Sequence, residues 1–467
     1  MNSIIALSLF GIINLFLGFL KNRKILLPAT LIFGAIALFL NVADWNQELV
    51  WFNGMLHTDN ASINFTSIIL VSMLLVMGIS RSFGEDDEHT HPAEYYSIML
   101  FSVVGAIMMT NFENMIMLFI GLEILSVSMY VLTGSDKRSL RSNEAALKYF
   151  LMGAFATGIL LFGIALIYGA TGSFNIHAIA GFMAHSHLYS FSSMLYIGVF
   201  MVIIGMLFKV SAAPFHFWTP DVYEGAPTLF TAFMSTIVKT AGFAAIYRLL
   251  LFSMGDVWGM WANAVNIIAM TTLIIGNITA VYQLSFKRMM AYSSISHAGY
   301  MLAAIVANEK DSQSAILFYS LAYSIATITA FAVLMLVSEA KLKDGKPNES
   351  FDAFNGLAKN NPLLAFSLAV SMLSLAGIPL TAGFWGKFFI FSNAMERGSG
   401  MIILLVIAIL MSAVGIYYYF RAVIASYMKE GDVAKIEIPT LYKIILILTT
   451  TFTIVLGIFP DLVKHIF

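Results

Sequence analysis

The chain is predicted to be an all-α integral membrane protein, and three observations predict this fold class. Of its 467 residues, 59% are hydrophobic and only 11% are charged, whereas soluble domains carry about 25% charged residues. The apolar residues form long continuous runs, which suit helices of about 20 residues that cross a bilayer. The weak alternating pattern of membrane β-barrel strands, about ten residues each, is not seen.

Fourteen apolar segments separated by polar breaks predict about 14 transmembrane helices. The first segment lacks a basic start and a small-residue cleavage site, so it is predicted to be a spanning helix and not a removed signal peptide. The approximate ranges are 3–20, 25–43, 61–80, 95–110, 113–133, 144–168, 191–221, 226–250, 261–283, 289–307, 312–338, 362–394, 400–427 and 440–462.

Basic residues are distributed unevenly between the connecting loops. Most of them lie in one set of alternate loops, and the other set holds only Arg248, Lys310, Arg397 and Lys464. Loops rich in Lys and Arg stay on the cytoplasmic side of a membrane. The pattern therefore predicts a multi-pass protein with its basic loops in the cytoplasm and both termini on the outer side of the membrane.

Composition argues against a resident cofactor or metal. The chain has no cysteine, which excludes thiolate-held iron–sulfur clusters and disulfides. It has neither a glycine-rich dinucleotide motif nor a P-loop, and its net charge of −1 does not favour nucleic acid. Three histidines in the predicted outer loop 169–190 are interpreted as ordinary loop residues, with metal ligation as the weaker alternative. They are His177, His185 and His187.

Two apolar segments are too long for a single crossing. The seventh, 191–221, contains Pro214, and the twelfth, 362–394, contains Pro379. Proline removes a backbone donor and clashes with the preceding turn, so both segments are predicted to be discontinuous helices, with a simple proline kink as the alternative for each. The two lie five helices apart, an odd number, which predicts two inverted five-helix repeats like those around transporter ion sites.

These repeats suggest a division of the chain into four parts. An N-terminal segment of three helices would occupy residues 1–90. The first repeat, helices 4–8, would span 91–255, and the second, helices 9–13, would span 256–430. A single C-terminal helix would complete the chain at 431–467.

Five ionisable residues lie inside apolar segments: Glu123, Lys148, Lys209, Lys239 and Lys387. A charged side chain at the centre of a spanning helix costs about 2.5–3.5 kcal/mol on insertion scales, and such residues are usually functional. Buried lysines can exchange protons near neutral pH, which makes them candidate proton carriers. The alternative is that the charges only pack helices, for example through an ion pair between Glu123 and Lys209.

Lys148 and two histidines are weaker candidates for the same chemistry. Lys148 lies near the predicted cytoplasmic end of its helix, where it can extend to the interface and pair with Glu144 four residues earlier. His216 and His297 could relay protons because histidine titrates near neutral pH. A hydrogen-bonded core histidine is the equally simple interpretation of each.

Five segments carry a resemblance to a known family, and together they extend from helix 5 to helix 12. They resemble the antiporter-like subunits of respiratory complex I, the NADH-quinone oxidoreductase, whose fold Mrp-type cation/proton antiporter subunits share. The segments are GLEILSVSMYVL at 121–132, EAALKYF at 144–150, FKVSAAPFHFWTPDVYEGAPT at 208–228, KRMMAYSSISHAGY at 287–300 and AGIPLTAGFWGKF at 376–388.

Within that family, two features favour the subunit N branch. Subunit M usually carries glutamate at the twelfth-helix position, where this chain has Lys387. Subunit L carries a long lateral C-terminal helix, whereas this sequence stops at Phe467, just after its fourteenth apolar segment. An Mrp-type antiporter subunit and a purely structural membrane-arm subunit remain the alternatives.

The resemblance implies a proton-translocating subunit without a redox centre of its own. Flavin, iron–sulfur clusters and quinone would act in partner subunits, and the partners would include other antiporter-like subunits and small helical membrane subunits. Glu123 and Lys209 would form a modulating ion pair, Lys239 would be the central carrier, and Lys387 would be the terminal carrier towards the outer side. The lesser members of the polar axis would be Lys148, His216 and His297.

Overall fold

The computed structural model describes residues 2–20, 23–80, 91–186, 193–343, 346–431 and 433–464. Almost all regular structure in this part of the chain is helical, apart from two short antiparallel hairpins. The first hairpin pairs β1 (Leu49–Trp51) with β2 (Leu56–Thr58). The second pairs β3 (Leu342–Lys343) with β4 (Lys346–Pro347).

The chain forms two compact units. Unit 1 consists of Met1–Ser211 and Ile237–Val265, and unit 2 consists of Ala212–Thr236 and Asn266–Phe467. The chain therefore leaves unit 1 inside the predicted seventh helix and returns to it inside the predicted eighth. The four-part division proposed from the sequence, with boundaries near 90, 255 and 430, stays a prediction.

Unit 1 contains the first eight helices and one later helix. They are α1 (Asn2–Leu17), α2 (Leu26–Ala43), α3 (Asn60–Gly78), α4 (Pro92–Asn111), α5 (Met115–Thr133), α6 (Leu140–Thr171), α7 (Ile176–Ser186) and α8 (Ser193–Lys209). After α9 (Trp218–Gly225) and α10 (Thr228–Phe233) of unit 2, the chain re-enters unit 1 with α11 (Lys239–Tyr247).

The rest of the chain belongs largely to unit 2. Its elements are α12 (Trp258–Val281), which begins in unit 1, α13 (Phe286–Ala307), α14 (Ser312–Ala340), α15 (Leu357–Asn360), α16 (Pro362–Ala376), α17 (Ala382–Glu396), α18 (Ile402–Tyr427), α19 (Thr440–Ile458) and α20 (Asp461–Lys464).

Hydropathy and length identify ten helices in the described ranges that can cross a membrane. Three shorter apolar helices, α1, α8 and α16, accompany them. The core of unit 2 surrounds α14, which is buried along its whole apolar length, whereas α6 and α18 expose wide apolar faces. Apolar faces of this kind suit contact with lipid chains, because the backbone polar groups of a helix are satisfied internally. The number fourteen and the inverted relation of the repeats stay predictions.

Both predicted helix breaks are present. In unit 1, α8 ends at Lys209, and no α-helix forms until α9 begins at Trp218. In unit 2, α16 ends at Ala376 and α17 begins at Ala382. Each break therefore leaves a free helix C-terminus in the apolar interior, with the unsatisfied carbonyl groups that every helix end carries.

The predicted eighth helix, 226–250, is less regular than its sequence suggests. α10 gives way to a π-helical turn at Met234–Val238, α11 follows, and a second π-helical turn covers Arg248–Ser253. Apolar periodicity does not distinguish an α-helix from one with an inserted residue, so the sequence could not show this. Such π-turns are rare and often lie at functional sites.

The two units share one local arrangement, an isolated β-bridge next to the capped start of a helix. In unit 1, an isolated antiparallel bridge joins Asn114, the residue before α5, to Asn175, which precedes α7. In unit 2, an equivalent bridge joins Ser285, the residue before α13, to Ser350. Asn114 and Ser285 both cap the helix that follows with a side-chain oxygen, as N-cap residues do. This local likeness agrees with the expected repeat.

Candidate functional site

The first candidate site lies in unit 1 at the end of α8. Lys209 is the last residue of that helix and is buried, and its Nζ donates to Ser126 Oγ over 2.9 Å. Tyr149 of α6 presents its ring 6.0 Å from the same ammonium. A cation at a helix C-terminus is favoured by the helix dipole, so the end of α8 helps to hold this charge.

Glu123 is close to Lys209 but does not contact it directly. The carboxylate lies one turn before Ser126 on α5, on the same face of the helix, and near enough for its charge to act on Lys209. No contact within 4.0 Å joins the two in the described residues, and Glu123 Oε1 is buried there without a hydrogen bond. The predicted direct ion pair is therefore replaced, in this structure, by a lysine–serine hydrogen bond beside the carboxylate.

Lys239 belongs to the same unit and lies at the start of α11. It is buried and directly follows the π-helical turn of the eighth helix. A Cβ built on Gly242, one turn further along α11, would lie 2.7 Å from Val210 Cγ1 and 3.9 Å from Lys209 Cγ. Because residues three apart share a helix face, Gly242 brings the Lys239 face of α11 against the end of α8.

Lys148 stands apart from this group. Its Nζ lies 2.7 Å from Glu144 Oε1, and the two side chains are 41% and 64% exposed. The expected pair four residues apart is present, but it lies on the outward face of α6. Its neighbours there are exposed apolar side chains such as Leu147 and Leu151.

The second candidate site lies in unit 2, at the break between α16 and α17. Lys387 Nζ donates to the carbonyl of Ala376 over 2.8 Å and to Ser412 Oγ over 3.0 Å. The Tyr300 ring lies 4.8 Å from the same nitrogen, within cation–π range. A buried ammonium has three N–H groups to satisfy, and these three neighbours provide for it.

The two lysines are associated with corresponding ends of the half-helices that precede the breaks. Lys209 belongs to its half-helix, whereas Lys387 belongs to the half-helix after its break. Lys209 lies eight residues before Phe217, which opens the Phe–Trp pair after the first break. Ala376 lies eight residues before Phe384, which opens the corresponding pair after the second. Lys387 comes after the break, but its ammonium reaches back to Ala376, the counterpart of Lys209. In both units, therefore, a lysine is associated with the end of the first half-helix: Lys209 is its last residue in unit 1, and the Lys387 ammonium binds its last carbonyl in unit 2.

His297 lies in the same unit as Lys387 and is joined to it by aromatic residues. Its Nδ1 is 2.5 Å from the Tyr319 hydroxyl and its Nε2 is 3.0 Å from the Tyr419 hydroxyl. Tyr300, one turn along α13, packs against His297 with ring centroids 6.1 Å apart and also faces Lys387. Hydroxyl and imidazole groups both donate and accept hydrogen bonds, so the group can pass protons by exchange of partners.

The remaining predicted residues lie in the breaks themselves. Pro214 and His216 occupy the first break, on the unit 2 side, and His216 is buried with its ring stacked on Phe217 at 4.7 Å. Pro379 lies in the second break. Each proline stands where the chain has no α-helix, as its missing N–H requires.

The structure brings in residues that the sequence did not indicate. Ser126, Ser412 and Tyr300 are common residue types in membrane helices, and only packing makes them ligands of lysines. Arg248 was predicted to lie in an outer loop, but it is buried at the end of α11 and pairs with Asp59 and Glu113. The available signal was its place at the edge of an apolar segment, where an arginine without a partner would be costly.

The loop histidines do not form a metal site among the described residues. His177 instead lies 2.7 Å from Glu113. His187 falls outside the described residues, as does the side chain of His185.

A multi-pass helical protein with a buried lysine at each of two broken helices is an antiporter-like membrane subunit. The family described as "NADH:quinone oxidoreductase/Mrp antiporter, TM" matches residues 113–412. A subunit N of NADH-quinone oxidoreductase from Flavobacterium psychrophilum is 39% identical over 99% of both chains. One from Trichlorobacter lovleyi is 43% identical over 91% of this chain and 86% of its own length.

Solved structures agree with these sequence relatives. A chain of respiratory complex I from Thermus thermophilus, determined with bound aureothin, superposes with a TM-score of 0.85 at 33% identity, over 99% of this chain and 98% of that one. A chain of an archaeal membrane-bound sulfane sulfur reductase shares the fold with a TM-score of 0.88 at 24% identity, over 100% of this chain and 96% of its own. The chain belongs to the NADH:quinone oxidoreductase/Mrp antiporter family and, within it, to the NADH-quinone oxidoreductase subunit N family.

Proposed function

We propose that the chain is a proton-translocating membrane-arm subunit of an NADH:quinone oxidoreductase. The observation that carries this proposal is the pair of buried lysine ammonium groups, Lys209 and Lys387, each held at the free end of a broken helix. Burying such charges is expensive, and helix packing alone could be achieved by apolar residues. The ability to gain and lose a proton explains why lysine is used at both points.

The proposed roles are compatible with the positions of the side chains. Glu123 modulates the charge on Lys209, which lies against the face of α11 that carries Lys239. Lys239 is the central proton carrier, and Lys387 is the terminal carrier towards the outer side. The lesser members are His297, connected to Lys387 through Tyr300, together with His216 and Lys148.

Electrostatic coupling can drive such a relay. Two unit charges 4 Å apart interact by about 4 kcal/mol at an effective dielectric constant of 20. A tenfold change in proton affinity needs only about 1.4 kcal/mol, so even a fraction of that interaction can move a proton. Weakening the hold of Glu123 on Lys209 changes the potential at Lys239, and the charge on Lys239 then acts on the next carrier. Backbone carbonyl groups at the breaks can accept hydrogen bonds from the waters that the transfers require.

The proposed setting is a bacterial inner membrane with both termini on the outer side and protons moving outward from the cytoplasm. Electron transfer to quinone takes place in partner subunits, which carry the flavin and iron–sulfur clusters. The partners of this chain in the membrane are the other antiporter-like subunits and small helical subunits. Its role within the enzyme is that of a translocase subunit without a redox centre.

The test is to replace Glu123 or Lys239 by alanine in the intact complex. Proton pumping coupled to quinone reduction is measured in sealed vesicles, and assembly is checked by the recovery of all subunits. We expect assembled complexes that pump at a strongly reduced rate. Normal pumping by an assembled Lys239→Ala complex would refute the proposal, whereas poor assembly with normal pumping per complex would indicate a structural role for these charges.

Purification separates the proposal from an Mrp-type antiporter subunit. The chain is extracted from membranes under mild conditions, and the proteins that accompany it are identified. Flavin-binding and iron–sulfur subunits among them support the complex I assignment. Their replacement by antiporter subunits alone would favour cation/proton exchange.

A further inference from the structure

A second group of charged residues lies in unit 1, away from the lysines, and we call it the Glu113 cluster. It comes from five separate places in the chain: the hairpin, the starts of α3, α5 and α7, and the residue after α11. The proposed function leaves this cluster without a role. Its members are His57, Asp59, Glu113, His177 and Arg248.

Arg248 is the centre of the cluster and is fully engaged. Its Nε donates to the Phe112 carbonyl over 2.7 Å, and its two terminal nitrogens donate to Asp59 Oδ2 over 2.8 Å and to Glu113 Oε1 over 2.5 Å. The guanidinium is buried. Arginine stays protonated in proteins, so it contributes one fixed positive charge.

The cluster contains more negative than positive fixed charge. Burial acts to raise the pKa of Asp59, but the charge of Arg248 and the hydrogen bonds from Ser62 outweigh it and hold that pKa below its usual value. Asp59 is therefore a carboxylate. Counted formally, the two acidic side chains Asp59 and Glu113 face the single guanidinium of Arg248. One further proton on the cluster would balance this formal count.

Two histidines are placed to hold that proton. His177 Nε2 lies 2.7 Å from Glu113 Oε2, and His57 Nδ1 lies 3.4 Å from Glu113 Oε1. In the described part of the chain, Glu113 Oε2 is buried and accepts no hydrogen bond. Its close ionisable neighbour is the His177 ring. The Glu113 side chain is 5% exposed and the His177 side chain 57% exposed. His177 therefore connects a buried carboxylate to water.

The cluster also lies at the far end of the helix that carries the central lysine. α11 begins at Lys239 and ends at Tyr247, and Arg248 follows directly. At 1.5 Å per residue the two ends of this stretch are about 13 Å apart. The loop that contains His177 is the one predicted to lie on the outer side.

We infer that Glu113 and His177 form a proton-release group through which unit 1 exchanges protons with the outer aqueous phase. A proton that reaches Glu113 Oε2 passes to His177 Nε2, and the imidazolium gives up its Nδ1 proton to water. No other bond changes, and Arg248 and Asp59 keep the carboxylate in position throughout. The inference rests on the proposed function, because it adds a second exit, in unit 1, for protons that Lys239 does not pass towards Lys387.

The experiment compares His177→Gln and Glu113→Gln with the unmodified complex in sealed vesicles. The rate of proton translocation linked to quinone reduction is measured while only the pH on the outer side is varied between about 5 and 8, the range in which histidine titrates. We expect the unmodified rate to fall by about threefold or more towards the acid end. Both variants should lose most of this dependence on outer pH.

His91→Gln is the control on the predicted cytoplasmic side. His91 also pairs with a carboxylate, that of Glu94 at 3.6 Å, but both side chains are more than half exposed. Its variant should keep the unmodified pH profile. If Glu113→Gln fails to assemble, His177→Gln carries the test, because it leaves all three hydrogen bonds of Arg248 in place.

Lys239→Ala, measured in parallel, separates the two proposals. Impaired pumping by Lys239→Ala together with an unchanged outer-pH profile in His177→Gln would overturn the release group alone. Normal pumping by an assembled Lys239→Ala complex would overturn both. Reduced assembly of His177→Gln with an unchanged profile per complex would mean that the cluster is only structural.

Discussion

Lys209 and Lys387 occupy equivalent ends of two broken helices, yet they are stabilised by different groups. Lys209 has one hydroxyl, that of Ser126, the Tyr149 ring at 6.0 Å, and a nearby carboxylate, Glu123. Lys387 has a backbone carbonyl, a hydroxyl and an aromatic ring, all of them neutral. The charge on Lys209 can therefore be altered by a change at another ionisable group, whereas the surroundings of Lys387 are set by the fold. This difference suits a modulated position in unit 1 and a constant one in unit 2.

The largest loss of pumping is expected from a substitution that displaces the Lys387 ammonium by steric contact. Gly377 has φ +84°, and an added Cβ would lie 2.8 Å from Lys387 Cδ and 3.2 Å from its Nζ. Gly377→Ala adds left-handed strain of about 1–2 kcal/mol and pushes the ammonium off the Ala376 carbonyl. Loss of both hydrogen bonds to Lys387 costs about 3 kcal/mol or more, so coupled pumping should fall by about 100-fold.

Gly172→Ala is the control for this prediction. Gly172 also ends a helix in the left-handed conformation, with φ +73°, but an added Cβ there meets nothing within 4 Å. Gly172→Ala should lose only the thermal stability that the strain costs, Gly377→Ala should lose more, and only Gly377→Ala should lose pumping. Equal pumping losses would show that strain, and not the lysine contact, is responsible.

A smaller loss of pumping should distinguish the two lysines, because Lys209 donates one hydrogen bond and Lys387 donates two. Ser126→Ala removes the hydroxyl that binds Lys209, and Ser412→Ala removes only one of two hydrogen bonds to Lys387. A hydrogen bond to a charged group contributes about 1.5–3 kcal/mol. Ser126→Ala should therefore reduce coupled pumping by about tenfold or more, and Ser412→Ala by clearly less. The reverse order would show that Lys209 does not depend on its hydroxyl partner more than Lys387 does.

The contact between α8 and α11 should be sensitive to a single methyl group. Gly242→Ala places its Cβ 2.7 Å from Val210 Cγ1, and overpacking of this kind typically costs about 1–3 kcal/mol. We expect a severalfold loss of pumping as the Lys239 face moves away from Lys209. Gly158→Ala, on α6 with nothing within 4 Å, should raise helix stability slightly and leave pumping unchanged.

The smallest effect is expected at Lys148. Its pair with Glu144 lies on an exposed face of α6, and exposed pairs four residues apart contribute about 0.3–0.5 kcal/mol. The combined Glu144→Gln and Lys148→Gln variant, which leaves no single charge behind, should pump within about twofold of the unmodified complex. A large loss in an assembled complex would add Lys148 to the proton path.

Much of the candidate site could be predicted because its strongest signals are local. A lysine inside an apolar run is visible wherever it occurs, and Pro214 and Pro379 break helices whatever surrounds them. Lys209, Lys239 and Lys387 are all buried, and Lys209 and Lys387 lie beside the breaks, as expected. Lys148 shows the limit of this reasoning, because an apolar run does not reveal which face of a helix is turned inward.

The partners of these lysines could not be predicted. Ser126 is 83 residues from Lys209 in the chain, and Ser412 is 25 residues from Lys387. Serine and tyrosine occur throughout membrane helices, so their composition carries no signal of a contact. Arg248 was misplaced for a related reason: a basic residue at the edge of an apolar run resembles a loop residue until its carboxylate partners are seen.

By itself, the sequence determined that this protein is a bundle of membrane helices with two interruptions and several costly charges. Hydrocarbon admits few polar groups, so each exception stands out in the primary structure. Only the tertiary structure decided what each charge touches: Ser126 beside Glu123 for Lys209, the end of α16 for Lys387, and two carboxylates for Arg248. Those contacts join side chains from distant segments, and their geometry depends on how the helices pack.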